Sequence, residues 1–101
     1  MSPSKIPYGV LWRPLAEVAL DDIVDCIAQD NPTLAVEFVL ELRDKAAALA
    51  LHPMMGRTGR PGLPAFVREL VAHRNYILFY RVLREARTVE ILQVKHAAQQ
   101  L

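Results

Sequence analysis

Asp30-Asn31-Pro32 joins two amphipathic stretches with no room for a loop, and that junction constrains the fold more than any other part of the sequence. Before it, Leu15 to Gln29 places Ala16, Ala19, Leu20, Ile23, Cys26 and Ile27 on one helical face. Glu17, Asp21, Asp22 and Asp25 fill the other face, and Pro14 suits the first turn, where its missing N–H costs nothing. After it, Asn31 is an N-cap and Pro32 takes the first position of a second helix. The second stripe is Ala35, Phe38, Val39, Leu42, Ala46 and Leu49, and the helix ends before Pro53. So short a connection folds the two helices into an antiparallel hairpin.

The remaining periodicity is that of strands. Tyr8, Val10 and Trp12 alternate in a short run closed by Arg13-Pro14. Phe66 to Ala72, Tyr76 to Leu83 and Thr88 to Lys95 are three further β-rich runs, the last two joined by the turn Arg84-Glu85-Ala86-Arg87. Tyr76 to Tyr80 is apolar throughout, as expected of a central strand covered on both faces. Residues 53–64, with three glycines and three prolines, form a loop. The predicted class is α+β: an N-terminal strand, a helical hairpin, then a three-stranded antiparallel meander forming one sheet packed on the hairpin.

With 101 residues, this is one domain with one core, and 52% hydrophobic against 23% charged residues excludes a disordered tail. No uncharged apolar run approaches the roughly 20 residues of a membrane span, and Met1 to Pro7 lacks the apolar region of a secretory signal. A cytoplasmic protein without membrane association is expected. Cys26 is the single cysteine and His52, His73 and His96 are scattered, so neither disulfide, metal nor cofactor is expected. A mean hydropathy of +0.15 is high for a small domain and implies a permanent partner over apolar surface.

Charge divides along the chain. Residues 1–52 hold four cations against eight acids, a net −4, and residues 53–101 hold eight against three, a net +5. Seven of those eight cations are arginine, the side chain suited to bidentate recognition of phosphate or carboxylate. Gly56-Arg57-Thr58-Gly59-Arg60-Pro61-Gly62 offers backbone N–H groups and two guanidiniums to an anion, or is a solvated connector; it lacks the Gly-Lys-Ser/Thr of a P-loop. Arg68, Arg74 and Arg81 fall on or between adjacent strands near Tyr76 and Tyr80. They either converge on a nucleic-acid backbone or pair across strands with Glu69 or Glu90. His96 ends the last strand, where an imidazole could move protons or simply hold a hydrogen bond. His52 complements a helix C-terminus, and Cys26, Trp12 and Phe38 read as core.

The order of these segments resembles the ParE/RelE superfamily, the toxins of bacterial type II toxin-antitoxin modules. The resemblance spans residues 8 to about 99. It rests on Ala19 to Ala28 with Asn31-Pro32, Ala47 to Leu51 with His52-Pro53, Gly56 to Arg60, Arg68 to Val71, Tyr76 to Val82, and Val89 to His96. It implies one toxin domain over 1–101, with an antiparallel sheet against a helical hairpin. It also implies a role in plasmid stabilisation and growth arrest, and a cognate ParD/RelB-like antitoxin that wraps the toxin in a hetero-oligomer and binds operator DNA. Two mechanisms are implied. RelE-like members cleave messenger RNA in the ribosomal A site, where basic residues stabilise developing charge as a ribose 2′-OH attacks. The catalytic positions here would be Arg68, Arg81 and His96. ParE-like members poison DNA gyrase without catalytic residues of their own, and Arg57, Arg60, Arg68 and Arg74 would then be target contacts. A net charge of +1, only three lysines and the long hairpin favour the ParE-like mechanism. A degenerate toxin that serves only as an antitoxin's binding partner is the third reading.

Overall fold

The structure, a computed structural model, describes residues 6–73 and 75–98. Its elements are β1 (Gly9–Trp12), α1 (Pro14–Asp30), α2 (Pro32–Ala48), β2 (Arg68–His73), β3 (Tyr76–Leu83) and β4 (Thr88–His96), the expected α+β order. Arg13 makes no side-chain capping bond, so Pro14 with its fixed φ marks the entry to α1. Asn31 ends α1 and starts α2 at once. Its N–H reaches the Ile27 carbonyl at 2.9 Å and its Oδ1 accepts the Leu34 N–H at 3.0 Å. Both helix ends are satisfied by one residue, and the hairpin needs no loop.

The four strands form one sheet in the order β1-β4-β3-β2. The β2–β3–β4 meander is antiparallel as expected, but β1 joins β4 in parallel, from Gly9 opposite Thr88 to Trp12 opposite Ile91. The sheet is therefore mixed rather than wholly antiparallel. Side-chain alternation carries no record of strand direction, so no periodicity could have revealed this. Along the β3–β4 ladder the partner of Phe79 is Gln93 and that of Tyr80 is Ile91, which leaves Leu92 as the extra residue of a bulge.

The hairpin lies on the inner face of the sheet. Ala16, Leu20, Phe38, Leu42, Ala46 and Leu49 from the helices meet Leu78, Tyr80, Val89, Ile91 and Val94 from the strands, all buried. Each large side chain so buried contributes about 1.5–3 kcal/mol of transfer free energy. The predicted α2 stripe is the observed one apart from Val39, which is half-buried. On α1, Cys26 is exposed rather than part of the core, and Val24 packs instead, because the apolar stripe turns toward α2. Phe66, expected in a strand, is also exposed. Pro64 closes a turn there, with the Val67 N–H on its carbonyl at 3.0 Å, and β2 starts two residues later. Among the described residues no helix is long and apolar enough to cross a membrane.

Candidate functional site

The basic half of the chain divides between the outer face of the sheet and one end of the molecule. Glu90 lies opposite Arg81 across the β3–β4 ladder and is 6% exposed. Arg81 Nε donates to its Oε1 at 2.6 Å, and Arg13 Nη1 stands 3.6 Å from its Oε2. One carboxylate thus faces two guanidiniums from different elements. Glu69 holds Arg60 in a fork: Nε donates to Oε2 at 3.1 Å and Nη2 to Oε1 at 2.8 Å. That bond, opposed by some desolvation, raises the pKa of Arg60 above the ordinary guanidinium value. The same guanidinium lies 5.6 Å from the Phe79 ring centre, and Arg81 lies 5.8 Å from that of Phe66. Of the two alternatives left open by the sequence, cross-strand pairing holds for Arg81. Arg60 pairs too, but from the loop.

Arg68 has a third kind of partner. It lies opposite Tyr80, hence on the inner face, and its Nη1 donates to the Gly56 carbonyl at 2.7 Å. The Tyr80 hydroxyl accepts the Gly56 N–H at 2.7 Å and donates to the Pro53 carbonyl at 2.8 Å. Burial pushes the Tyr80 phenol above its usual value of 10.0, while the Gly56 N–H and the Arg68 charge pull the other way. A Cβ on Gly56 would stand 2.7 Å from both the Glu69 carbonyl and the Tyr80 hydroxyl, so this position accepts only glycine. One residue on, Arg57 exchanges both backbone hydrogen bonds with Glu69, at 3.0 and 2.8 Å, and caps the open edge of β2. The Arg57 side chain is exposed. The loop is therefore pinned at Pro53, Gly56 and Arg57, and it leaves Met54 and Met55 outside.

Of the named candidates, Arg57 and Arg60 line one hollow of about 380 Å³ with Thr58, Gly59, Pro61 and the carboxylate of Glu69, and the others do not join them there. Arg81 and Arg68 lie on opposite faces of the sheet. His96 pairs with Tyr76, five residues along β3 from Arg81, a separation of roughly 16 Å at the usual rise per residue. Its Nδ1 accepts the Ala98 N–H at 3.1 Å, and its ring meets Tyr76 edge-on with centres 5.0 Å apart. Arg74 lies outside the described residues. Neither the Tyr80 hydroxyl nor the methionine pair is singled out by the sequence reading. The one signal for the hydroxyl was a tyrosine in an otherwise apolar strand, which needs a hydrogen-bond partner when buried. Among the described residues no group of three or more His, Cys, Asp or Glu side chains is placed to hold a metal ion.

The family model described as "ParE toxin of type II toxin-antitoxin system, parDE" matches residues 10–101. The chain is 40% identical over 92 residues to the Sinorhizobium fredii protein called "Putative toxin Y4kP", covering 90% of each. It superposes on a chain of the chromosomal ParDE TA system from P. aeruginosa with a TM-score of 0.74 at 24% identity, covering 92% of this chain and 98% of that one. A chain of the toxin-antitoxin complex RelBE2 from Mycobacterium tuberculosis matches with a TM-score of 0.63 at 28% identity, over 97% and 100%.

Proposed function

This chain belongs to the ParE toxin family of the ParE/RelE superfamily and is a toxin of a type II toxin-antitoxin system; from that premise we propose that it arrests growth by binding DNA gyrase. The observation that carries the reading is the dispersal of the cations. Stabilising the transition state of RNA cleavage needs several donors aimed at one phosphate, preorganised where the charge develops. Here Arg60 and Arg81 face carboxylates, Arg68 faces a backbone carbonyl, and His96 stands far along the sheet from Arg81. A toxin that acts by binding needs no such convergence.

The whole chain acts as one toxin domain in the cytoplasm, with no cofactor. It is neutralised by a cognate ParD/RelB-like antitoxin in a hetero-oligomer that reaches operator DNA through the antitoxin. Exposed Leu15, Val18, Val36 and Leu40 on the hairpin supply apolar surface for such a partner. Ribosome-dependent mRNA cleavage is the second reading, supported by the likeness to the RelBE2 chain.

Purified protein in a gyrase supercoiling assay and in a ribosome-bound mRNA cleavage assay separates the two. Supercoiling should fail while the mRNA stays intact, and His96→Gln should remain toxic, since no proton need move. A-site cleavage by the wild type, lost in His96→Gln, would reverse the choice. Expression without antitoxin that leaves growth unaffected would reduce the protein to an antitoxin's binding partner.

A further inference from the structure

The helical hairpin carries charge of one sign over most of its length. Residues 14–42 hold seven acids and no lysine or arginine, and the two cations that follow are engaged or turned aside. Arg43 donates to Glu17 at 2.9 Å, and Lys45 borders a hollow with Glu41 and His73 in the cleft between α2 and β2. Among the described residues Asp21, Asp22, Asp25, Asp30 and Glu37 are exposed and make no ion pair. Leu15, Val18, Asp22 and Asp25 form one stripe of α1 at helical spacing, opposite the buried Ala16 and Leu20. Val36, Glu37 and Leu40 do the same on α2, opposite Phe38 and Leu42. The apolar members of these stripes stand in solvent: Leu15 is 68% exposed, Val18 56%, and Val36 and Leu40 60% each. The outer face of the hairpin is thus apolar and acidic at once.

We infer that this face docks a basic amphipathic segment of the antitoxin, with apolar side chains on Leu15, Val18, Val36 and Leu40 and lysines or arginines against the acids. This occupant rests on the antitoxin reading above and gives the chemistry of its contact. Charge excludes two other occupants. A nucleic acid would be repelled by acids with no cation among them. A second copy docked by a two-fold contact would set the same patch against itself, with like charges opposed across the seam. The protein target differs from the antitoxin in the sign it must carry and in how long it stays. Arg57, Arg84 and Arg87 stand exposed in the other half of the chain and select an acidic surface, so a partner that suits them does not suit the hairpin. Apolar side chains grouped and exposed in this way also call for a lasting cover. The antitoxin stays with the stored toxin, whereas the target is met only after release.

The test uses the full chain with an environment-sensitive dye on Cys26, the single cysteine, which is exposed on α1 one turn after Asp22. The probe is a short synthetic peptide of leucines at helical spacing with lysine elsewhere, and the control has glutamate for lysine. The dye should respond to the lysine peptide alone. Asp22→Lys together with Asp25→Lys should weaken that binding by about tenfold or more and admit the glutamate peptide. Both positions are exposed and lysine is a good helix former, so the melt should stay cooperative. Equal response to the two peptides, or response to neither, would overturn the inference. So would salt-sensitive self-association that the double substitution abolishes, which would give the face to a second copy. In cells, the double variant should still arrest growth yet escape an antitoxin selected for restoring growth beside the wild-type toxin. Loss of arrest by the variant alone would give the face to the target. The two readings fail separately: full neutralisation of the variant leaves the antitoxin reading standing and removes this surface, whereas failure to select any antitoxin removes that reading and this occupant with it.

Discussion

The inner face of the sheet presents Leu78, Tyr80, Val89, Ile91 and Val94 to the helical hairpin, whereas the outer face carries Arg60, Glu69, Arg81 and Glu90 around Phe79 and Ile77. On the inner face, what matters is apolar volume and how closely it packs. On the outer face, what matters is which charge stands opposite which. Phe79 is only 4% exposed although it is not part of the inner core; the Arg60–Glu69 pair shields it. The comparison teaches that the eight cations of the C-terminal half are not eight available charges. Arg60 and Arg81 are matched by Glu69 and Glu90, whereas Arg57 at the loop end and Arg84 and Arg87 in the β3–β4 turn are exposed.

The comparison breaks most visibly at the centre of the inner face. Leu42→Ala leaves a cavity beneath the sheet and should cost about 2–5 kcal/mol, read as a large fall in melting temperature with toxicity lost alongside. A melt close to wild type would mean the hairpin is not the face that holds the fold.

Glu90→Ala should cost less, about 1–3 kcal/mol, because Arg81 is partly solvated and can turn to water. It should also free Arg81 and Arg13, so that oligonucleotide binding appears where the wild type has little. Unchanged oligonucleotide affinity would show that the carboxylate was not masking these cations.

Tyr80→Phe keeps the ring in the inner core and removes only the bonds to Gly56 and Pro53, costing about 1–2 kcal/mol. The pH dependence gives a second reading. The phenol's pKa is raised on folding, so the fold favours the protonated form. Its contribution is complete below the unfolded value near 10 and is lost as pH rises through the higher folded value. Wild-type stability should therefore fall more steeply than that of Tyr80→Phe above about pH 10 in urea titrations; parallel curves would contradict the assignment.

Arg57→Ala should change stability least, by under about 0.5 kcal/mol, yet abolish growth arrest, since its side chain is exposed while its backbone bonds stay. Loss of the cooperative melt would move Arg57 from the target surface to the structure.

The sequence by itself determined the local elements. Helical spacing marked the stripes of the hairpin except at Cys26 and Val24, Asn31-Pro32 marked its turn, and alternation with glycine and proline punctuation marked the loop and the strands, apart from the start of β2. All these signals are carried by residues within a few positions of one another, where the backbone's own periods of 3.6 and 2 decide which side chains share a face. Tertiary structure decided the rest. That β1 lies parallel to β4, that Leu92 bulges, that Glu90 faces both Arg13 and Arg81, and that Tyr80 holds a loop 24 residues before it all depend on register between distant segments. A shift of one residue in that register would have turned each side chain to the opposite face, so which arginines are matched and which face outward follows from strand pairing rather than from any count along the chain.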